Sequence, residues 1–240
     1  MNQQLKAKKW QSVQKWCKKN GITAQESVIR VAMPLIDGNG QYDFNILESN
    51  SRRYLTDKTL NRNDLFIPYG MQVFVAFEEV DEAGNPKGKA PLYPYAPKAG
   101  VQYPFGFMTE DIEAMYNGML TISFGQTEVN RSFPMLNFKR VPETQAVGIY
   151  DGKAFVNSGI QSEFTLDDAL YQLVPNYYFA GTEAINIKAN FPANGSSFAI
   201  AAAATPTEAT TARKPFLYFY MSGVLVVNGA TAPKVSLFED

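Results

Sequence analysis

Leu65-Phe66-Ile67-Pro68-Tyr69, followed at once by the strand-like run Met71–Phe77, is the stretch from which the fold reads outward. A turn-rich segment comes next, then Met115-Tyr116-Asn117-Gly118 and the strand-like Met119–Phe124. The same order returns later as Gln172-Leu173-Val174-Pro175-Asn176-Tyr177, the strand-like Ala184–Phe191, an irregular segment, Tyr220-Met221-Ser222-Gly223 and Val224–Val227. Pro68 to Gly118 is 50 residues and Pro175 to Gly223 is 48. Residue identity between the two stretches is low, so period and order carry the signal. They point to two similar β units in tandem, with chance recurrence of strand-turn-strand patterning as the alternative.

Composition agrees with a β-rich body. The 240 residues are 45% hydrophobic and 13% aromatic, with 13 Tyr and 17 Phe, which suits strands rather than a disordered chain. That length is enough for one large β domain or two small ones. The most apolar stretch, Phe216–Val227, is broken by Ser222-Gly223 and reads as a buried strand or strand pair, not a spanning helix. Lysines run through the N-terminus with no apolar core, so no signal peptide is expected. The single cysteine, Cys17, excludes an intrachain disulfide framework and fits synthesis in a reducing cytoplasm.

Residues 3–19 contain no Gly or Pro and predict a helix stopped by Asn20-Gly21. At 100° per residue, Leu5, Trp10, Val13, Trp16 and Cys17 share an arc of about 140°. Lys8, Lys15, Lys18 and Lys19 lie opposite, while Lys6 and Lys9 intrude on the apolar arc, where their stems could snorkel. The first 20 residues hold six lysines and no acid, leaving 16 basic and 23 acidic residues, a formal −7, in the remainder. A basic tip on an acidic body points to a partner of its own. Three placements are open: packing on its own or a neighbouring subunit, lying in a lipid interface with both tryptophans inward, or contacting nucleic acid. The helix is expected to be separable, so that removing residues 1–20 leaves the β body folded.

After Gly21 the pattern becomes period two or short apolar runs, giving about sixteen candidate strands. They include Ser27–Ile36, Tyr42–Ile46, Leu65–Pro68, Met71–Phe77, Met119–Phe124, Gln126–Val129, Pro134–Lys139, Ala184–Phe191, Phe216–Tyr220, Val224–Val227 and Lys234–Phe238. Tyr69-Gly70, Asn117-Gly118 and Asn228-Gly229 are among the turn signals between them. Thr109–Tyr116 is expected as a short helix with Thr109 as its N-cap. Val80–Pro104 and Ala193–Pro215 are long irregular segments in equivalent places of the two halves, and both read as functional or surface loops. The expected class is all-β: two tandem eight-stranded jelly-roll barrels behind a short N-terminal amphipathic helix. Residues 1–20 are the helix, 21–142 the first roll and 143–240 the second, divided near Val141-Pro142-Glu143-Thr144.

No catalytic constellation stands out. The chain has no histidine, which removes the commonest general base, the commonest metal ligand and every Ser-His or Cys-His dyad. No phosphate-binding loop, nucleophile elbow or metal-spaced cysteine set is present, so neither catalytic residues nor a cofactor or metal are expected. The adjacent acids Glu78-Glu79 and Asp167-Asp168 read as solvated, because neighbours on a strand point to opposite faces. Asp37-Gly38-Asn39-Gly40 lacks the downstream spacing of a calcium loop and reads as a hairpin turn. Tyr93, Tyr95 and Tyr103, in the Pro-rich 91–104 string, are outer-loop candidates for stacking a sugar or a partner. The alternative is a Pro-stiffened loop that packs its own tyrosines. Arg52-Arg53 and Lys139-Arg140 are too sparse for a nucleic-acid groove, and no specific nucleic acid is expected.

Two tandem eight-stranded units, a short N-terminal helix, a long segment in each unit and no catalytic residues together resemble the double jelly-roll major capsid proteins. The similarity is to the small kind found in icosahedral phages with an internal membrane. It spans nearly the whole chain and is architectural, with no diagnostic motif. It implies a homotrimer of nearly hexagonal outline that contacts neighbouring trimers and vertex proteins in a virion shell, made in the host cytoplasm, with no enzymatic role. It also implies an inward, membrane-facing helix, a part that falls here to Lys6, Lys8, Lys9, Trp10, Lys15, Trp16, Lys18 and Lys19. At 240 residues the chain lies at the short end for such proteins. The runner-up is a β-sandwich spike, head-decoration or carbohydrate-binding module that uses the tyrosine loop. A carboxylate-only, glycosidase-like enzyme comes third.

Overall fold

The computed structural model describes residues 3–36, 38–47, 54–94, 114–124, 127–140, 149–150, 153–154, 169–173, 177–192, 213–234 and 237. Helix α1 spans Gln3–Asn20. It ends as the Asn20-Gly21 signal predicts: Gly21 sits at φ 66°, and the Ile22 N–H donates to the Cys17 carbonyl at 3.1 Å. This is the closing bond of a Schellman cap, which needs a left-handed residue at that position.

Eleven strands follow among the described residues: β1 (Thr23–Pro34), β2 (Gln41–Phe44), β3 (Leu65–Glu79), β4 (Met119–Phe124), β5 (Thr127–Pro134), β6 (Ile149–Tyr150), β7 (Lys153–Ala154), β8 (Tyr171–Gln172), β9 (Phe179–Ala180), β10 (Ile185–Asn190) and β11 (Arg213–Val227). The first sheet has the order β1-β11-β3-β8, with β9 also on β3, and the second has β2-β10-β4-β5. All these pairings are antiparallel. Strands β6 and β7 form a separate small pair. The class is therefore mostly β with one N-terminal helix, as expected.

The two sheets face each other across one core. Ile29 and Val31 of β1, Phe66, Met71, Val73, Val75 and Phe77 of β3, and Leu217, Phe219 and Met221 of β11 meet Tyr42 and Phe44 of β2, Leu120 and Ile122 of β4, and Ile185, Ile187 and Ala189 of β10. The second sheet turns Gln41, Asp43, Asn186 and Asn190 outward to solvent, the polar alternate positions of an antiparallel sheet with one wet face. The first sheet is covered on both faces. Of the 15 residues in β3, only Glu79 is not buried.

A bulge lets β3 serve two sides. Ser222 pairs with Gly70 and Gly223 with Pro68, which leaves Tyr69 as an extra residue on β3. Before the bulge, Leu65, Ile67 and Tyr69 look toward α1; after it, Met71, Val73, Val75 and Phe77 look into the sandwich. One inserted residue reverses which parity faces the interior. The expected turn at Tyr69-Gly70 is thus a point inside one continuous strand. The expected break at Ser222-Gly223 is likewise continuous strand. Gly223 is there because the backbones touch: a Cβ on it would come within 2.8 Å of the Pro68 Cα.

Three sequence expectations change. Met135–Phe138, read as part of a strand, is a 3₁₀ turn whose Lys139 N–H bonds the Leu136 carbonyl at 3.1 Å. Its three-residue repeat buries Met135 and Phe138 on one side, whereas strand alternation would put them on opposite faces. Lys234 and Leu237 are joined by a turn bond of 3.1 Å rather than by a ladder, which sends Leu237 into the cluster under α1. The third concerns the tandem division. Strand β10 lies between β2 and β4, and β11 lies between β1 and β3, so strands from either side of residue 142 are interleaved in both sheets. Two separately closed rolls over 21–142 and 143–240 are not formed by the described residues, which make one sandwich. Residues 141–144, 163–166, 109–113 and 193–212, on which the proposed boundary, a strand, most of a helix and most of the second long segment fall, lie outside the described residues.

Candidate interaction surface

Helix α1 is chemically polarised. Gln4, Ala7, Lys8, Gln11, Gln14, Lys15, Lys18 and Lys19 are exposed. At 100° per residue they fill one arc of about 140°, and Lys8 and Lys19 are about 16 Å apart along the axis. No acid interrupts them. The opposite side is fixed to the body: Val13, Trp16 and Cys17 pack with Leu65, Ile67, Tyr69, Val224, Val226 and Leu237. The Trp16 indole N–H donates to the Pro233 carbonyl at 2.8 Å, which locks the rotation of the helix.

Of the eight residues expected on a membrane-facing side, Lys8, Lys15, Lys18 and Lys19 share the exposed face. Lys9 and Trp16 do not: they are 7% and 2% exposed, and both point into the protein. Lys6 and Trp10 mark the boundary, half-buried. The Lys9 ammonium donates to the Leu173 carbonyl at 3.0 Å, and burial pushes its pKa down. The Lys6 ammonium lies 3.5 Å from Glu26 and 5.5 Å from the centre of the Tyr69 ring. Burial, aided by the Glu26 charge, raises the pKa of the Tyr69 hydroxyl. Burial also raises that of the Cys17 thiol. Trp16 is therefore not placed to insert into lipid, and removal of residues 1–20 would take the cover from Leu65, Ile67, Tyr69, Val224 and Val226.

A second polar site escaped the sequence reading. Glu78, taken as solvated, is 1% exposed. One of its oxygens accepts the Tyr218 hydroxyl at 2.8 Å, and the other accepts the N–H groups of Lys89 and Ala90 at 3.2 and 3.3 Å. Arg30 lies 5.8 Å from the Tyr218 ring centre and donates to the Thr56 carbonyl at 2.8 Å. Burial raises the Tyr218 pKa, and the Glu78 bond and charge add to it. Glu79, its neighbour on the other face, pairs at the surface with Lys87 at 3.8 Å. The burial of Glu78 comes from the 80–94 segment, which doubles back along β3. A hydrophobic strand ending in two acids gives no sign of that return. Glu78 thus clamps this segment, holding its backbone through two donors while Tyr218 holds the carboxylate.

The tyrosine loop is tied down where it is described. Tyr93 is half-buried, and its backbone exchanges two 2.8 Å hydrogen bonds with Val75. Tyr95 and Tyr103 lie outside the described residues. No group of three or more Cys, Asp or Glu side chains with metal-binding geometry occurs among the described residues, and no described helix is long and apolar enough to cross a membrane. Comparison with family models, with curated proteins and with solved structures finds no match to this chain.

Proposed function

We propose that this protein is a structural subunit of a virion shell, with its N-terminal helix turned toward an anionic membrane surface and no turnover of its own. The observation that carries this reading is the helix: four exposed lysines, Lys8, Lys15, Lys18 and Lys19, on one arc, held in fixed orientation by Trp16 on an otherwise acidic chain. A subunit polarised in this way presents one side to anionic headgroups and the rest to neighbours and solvent. The helix would lie against the headgroups by charge alone, since its apolar side is used within the subunit. In the double jelly-roll proteins two rolls per chain give a trimer six similar edges. Here both halves share one sandwich among the described residues, so the shell reading rests on single-sandwich packing and leaves copy number to measurement.

The test has two parts. Negative-stain images of the purified protein are expected to contain sheets or closed shells of regular units. Flotation with anionic vesicles is expected to carry the protein at low salt, to release it as ionic strength rises, and to fail for Lys15→Glu/Lys18→Glu/Lys19→Glu. Particles that never exceed a small oligomer would end the shell reading, and vesicle binding unchanged by the triple reversal would end the membrane assignment.

A further inference from the structure

The first sheet is protected along nearly all of both edges. On β3, the edge away from β11 is taken by β9 at Leu65 and Phe66, by the Leu173 N–H on the Tyr69 carbonyl at 3.1 Å, and by β8 at Gly70 and Met71. Further along, Tyr93 pairs with Val75, and the Lys87 N–H bonds the Glu79 carbonyl at 2.9 Å. On β1, the second half is covered as well. Arg30 exchanges backbone bonds with Lys58 at 2.9 and 2.7 Å, and the Ala32 N–H donates to the Asp57 carboxylate at 2.9 Å. These bonds also fix the geometry: the even-numbered residues of β1 aim their backbone groups away from β11. Ala24, Glu26 and Val28 continue that row, and their outward N–H and C=O groups meet no partner among the described residues.

This open half lacks the usual defences. Thr23–Val28 contains no proline, no lysine and no bulge, and its register with β11 is unbroken. Helix α1 reaches over the face of the sheet, through Lys6 to Glu26, and so leaves the edge uncovered among the described residues.

We infer that this edge is a self-pairing site, where β1 of a second copy adds antiparallel across a two-fold axis at Gln25. The register follows from the chemistry. An axis at Glu26 would set two carboxylates opposite each other. An axis at Ser27 would set Ala24 against Arg30, whose outward groups already bond Lys58. An axis at Gln25 sets Ala24 against Glu26, Thr23 against Ser27, and Gln25 against Gln25. Ala24 and Glu26 then exchange backbone hydrogen bonds with their counterparts, and Gln25 forms the close, non-hydrogen-bonded pair. Each Glu26 keeps its own Lys6 at 3.5 Å, so no unpaired charge is brought in. The partner is a second copy because the segment is complementary to itself in this register, with no like charges opposed. The contact stands apart from the shell reading: a dimer through β1 without shells would sink that reading alone.

The experiment is register-specific cysteine pairing in the full chain. Non-hydrogen-bonded antiparallel pairs bring Cβ atoms within disulfide reach, so Gln25→Cys is expected to give mainly covalent dimer on mild oxidation. Thr23→Cys/Ser27→Cys is expected to do the same, whereas Ser27→Cys alone gives no covalent dimer. Wild type is the control, because Cys17 is 4% exposed and packed under α1. Glu26→Pro removes an N–H that has no partner among the described residues, so it is expected to keep the fold by circular dichroism while weakening self-association at least tenfold in sedimentation. Monomeric Gln25→Cys together with monomeric Thr23→Cys/Ser27→Cys overturns the proposal. So does equal dimer from Ser27→Cys alone, or undiminished association in a folded Glu26→Pro.

Discussion

Replacing Trp16 with Ala separates a helix that is part of the body from one that waits for a membrane. Trp16 is 2% exposed, lies among Val13, Leu65, Ile67 and Val224, and donates to the Pro233 carbonyl. Truncating a fully buried tryptophan costs about 3–5 kcal/mol in transfer and cavity terms. The lost hydrogen bond adds little, because Pro233 is exposed and its carbonyl can turn to water. For a chain of this size each kcal/mol lowers Tm by about 2–4 °C, so the expected drop is about 6–20 °C. Differential scanning calorimetry measures it directly. Trp10→Phe provides an independent readout, since it leaves Trp16 as the sole tryptophan. Its emission is then expected to be blue-shifted and poorly quenched by iodide with no lipid present. A Tm within about 1 °C of wild type, with Trp16 emission that turns blue only when vesicles are added, would refute the docked helix.

Two further outcomes concern the polar sites on the first sheet. Tyr69, Tyr218 and Tyr220 all have hydroxyl pKa values raised by burial above the ordinary 10.0. A raised acid pKa makes the folded state hold more protons than the unfolded one, so this stability is intact below pH 10 and is lost as pH rises above it. Absorbance at 295 nm during alkaline titration should show these phenols ionising only with the loss of circular dichroism; smooth, early titration of every tyrosine would contradict their burial. Glu78→Gln should destabilise by about 1–3 kcal/mol, because an amide has one acceptor oxygen and no charge, so the bonds donated by the Tyr218 hydroxyl and by the N–H groups of Lys89 and Ala90 cannot all be kept. Urea unfolding reads it, and an unchanged midpoint would mean that Glu78 holds no such clamp.

What the sequence made legible follows the range of the interactions. The α1 boundary, set by Asn20-Gly21, is a local matter of one left-handed residue, and it holds to within one residue. Strands β4 and β10 also fall where alternation placed them, because one face of each is wet. The two 15-residue strands were read as broken pairs. Gly70 and Gly223 look like turn residues locally, but close approach of neighbouring backbone requires them, and that is information from across the sheet. On its own chemistry Lys9 reads as a snorkelling, membrane-facing lysine and Glu78 as a solvated acid. Their burial depends on Leu173 and on residues 89–90, far away or looped back in sequence. Helical angle alone placed Lys9 on the apolar arc, and that was the available hint.

The strand order also decides how the chain can come apart. Among the described residues, strand β11, from the last 30 residues, is what bridges β1 and β3 in the first sheet. Thr23 pairs with Val227 at one end of that bridge, Pro34 with Phe216 at the other, and Trp16 reaches Pro233 beside it. Residues 1–142 therefore hold β1 and β3 with no direct ladder between them, and both would expose long unpaired edges until β11 arrives. Such a sheet closes late and all at once, because the entropy of the intervening loop opposes β11 until both of its neighbours can receive it. The helix joins in the same step, since Val224 and Val226 on β11 form its floor. Completion of the sandwich thus fixes the lysine face of α1 and leaves the outward backbone groups of Ala24, Glu26 and Val28 without a partner among the described residues. In that order a chain presents its charged face and its open edge only after its own core is closed, which keeps pairing between copies from competing with pairing within one.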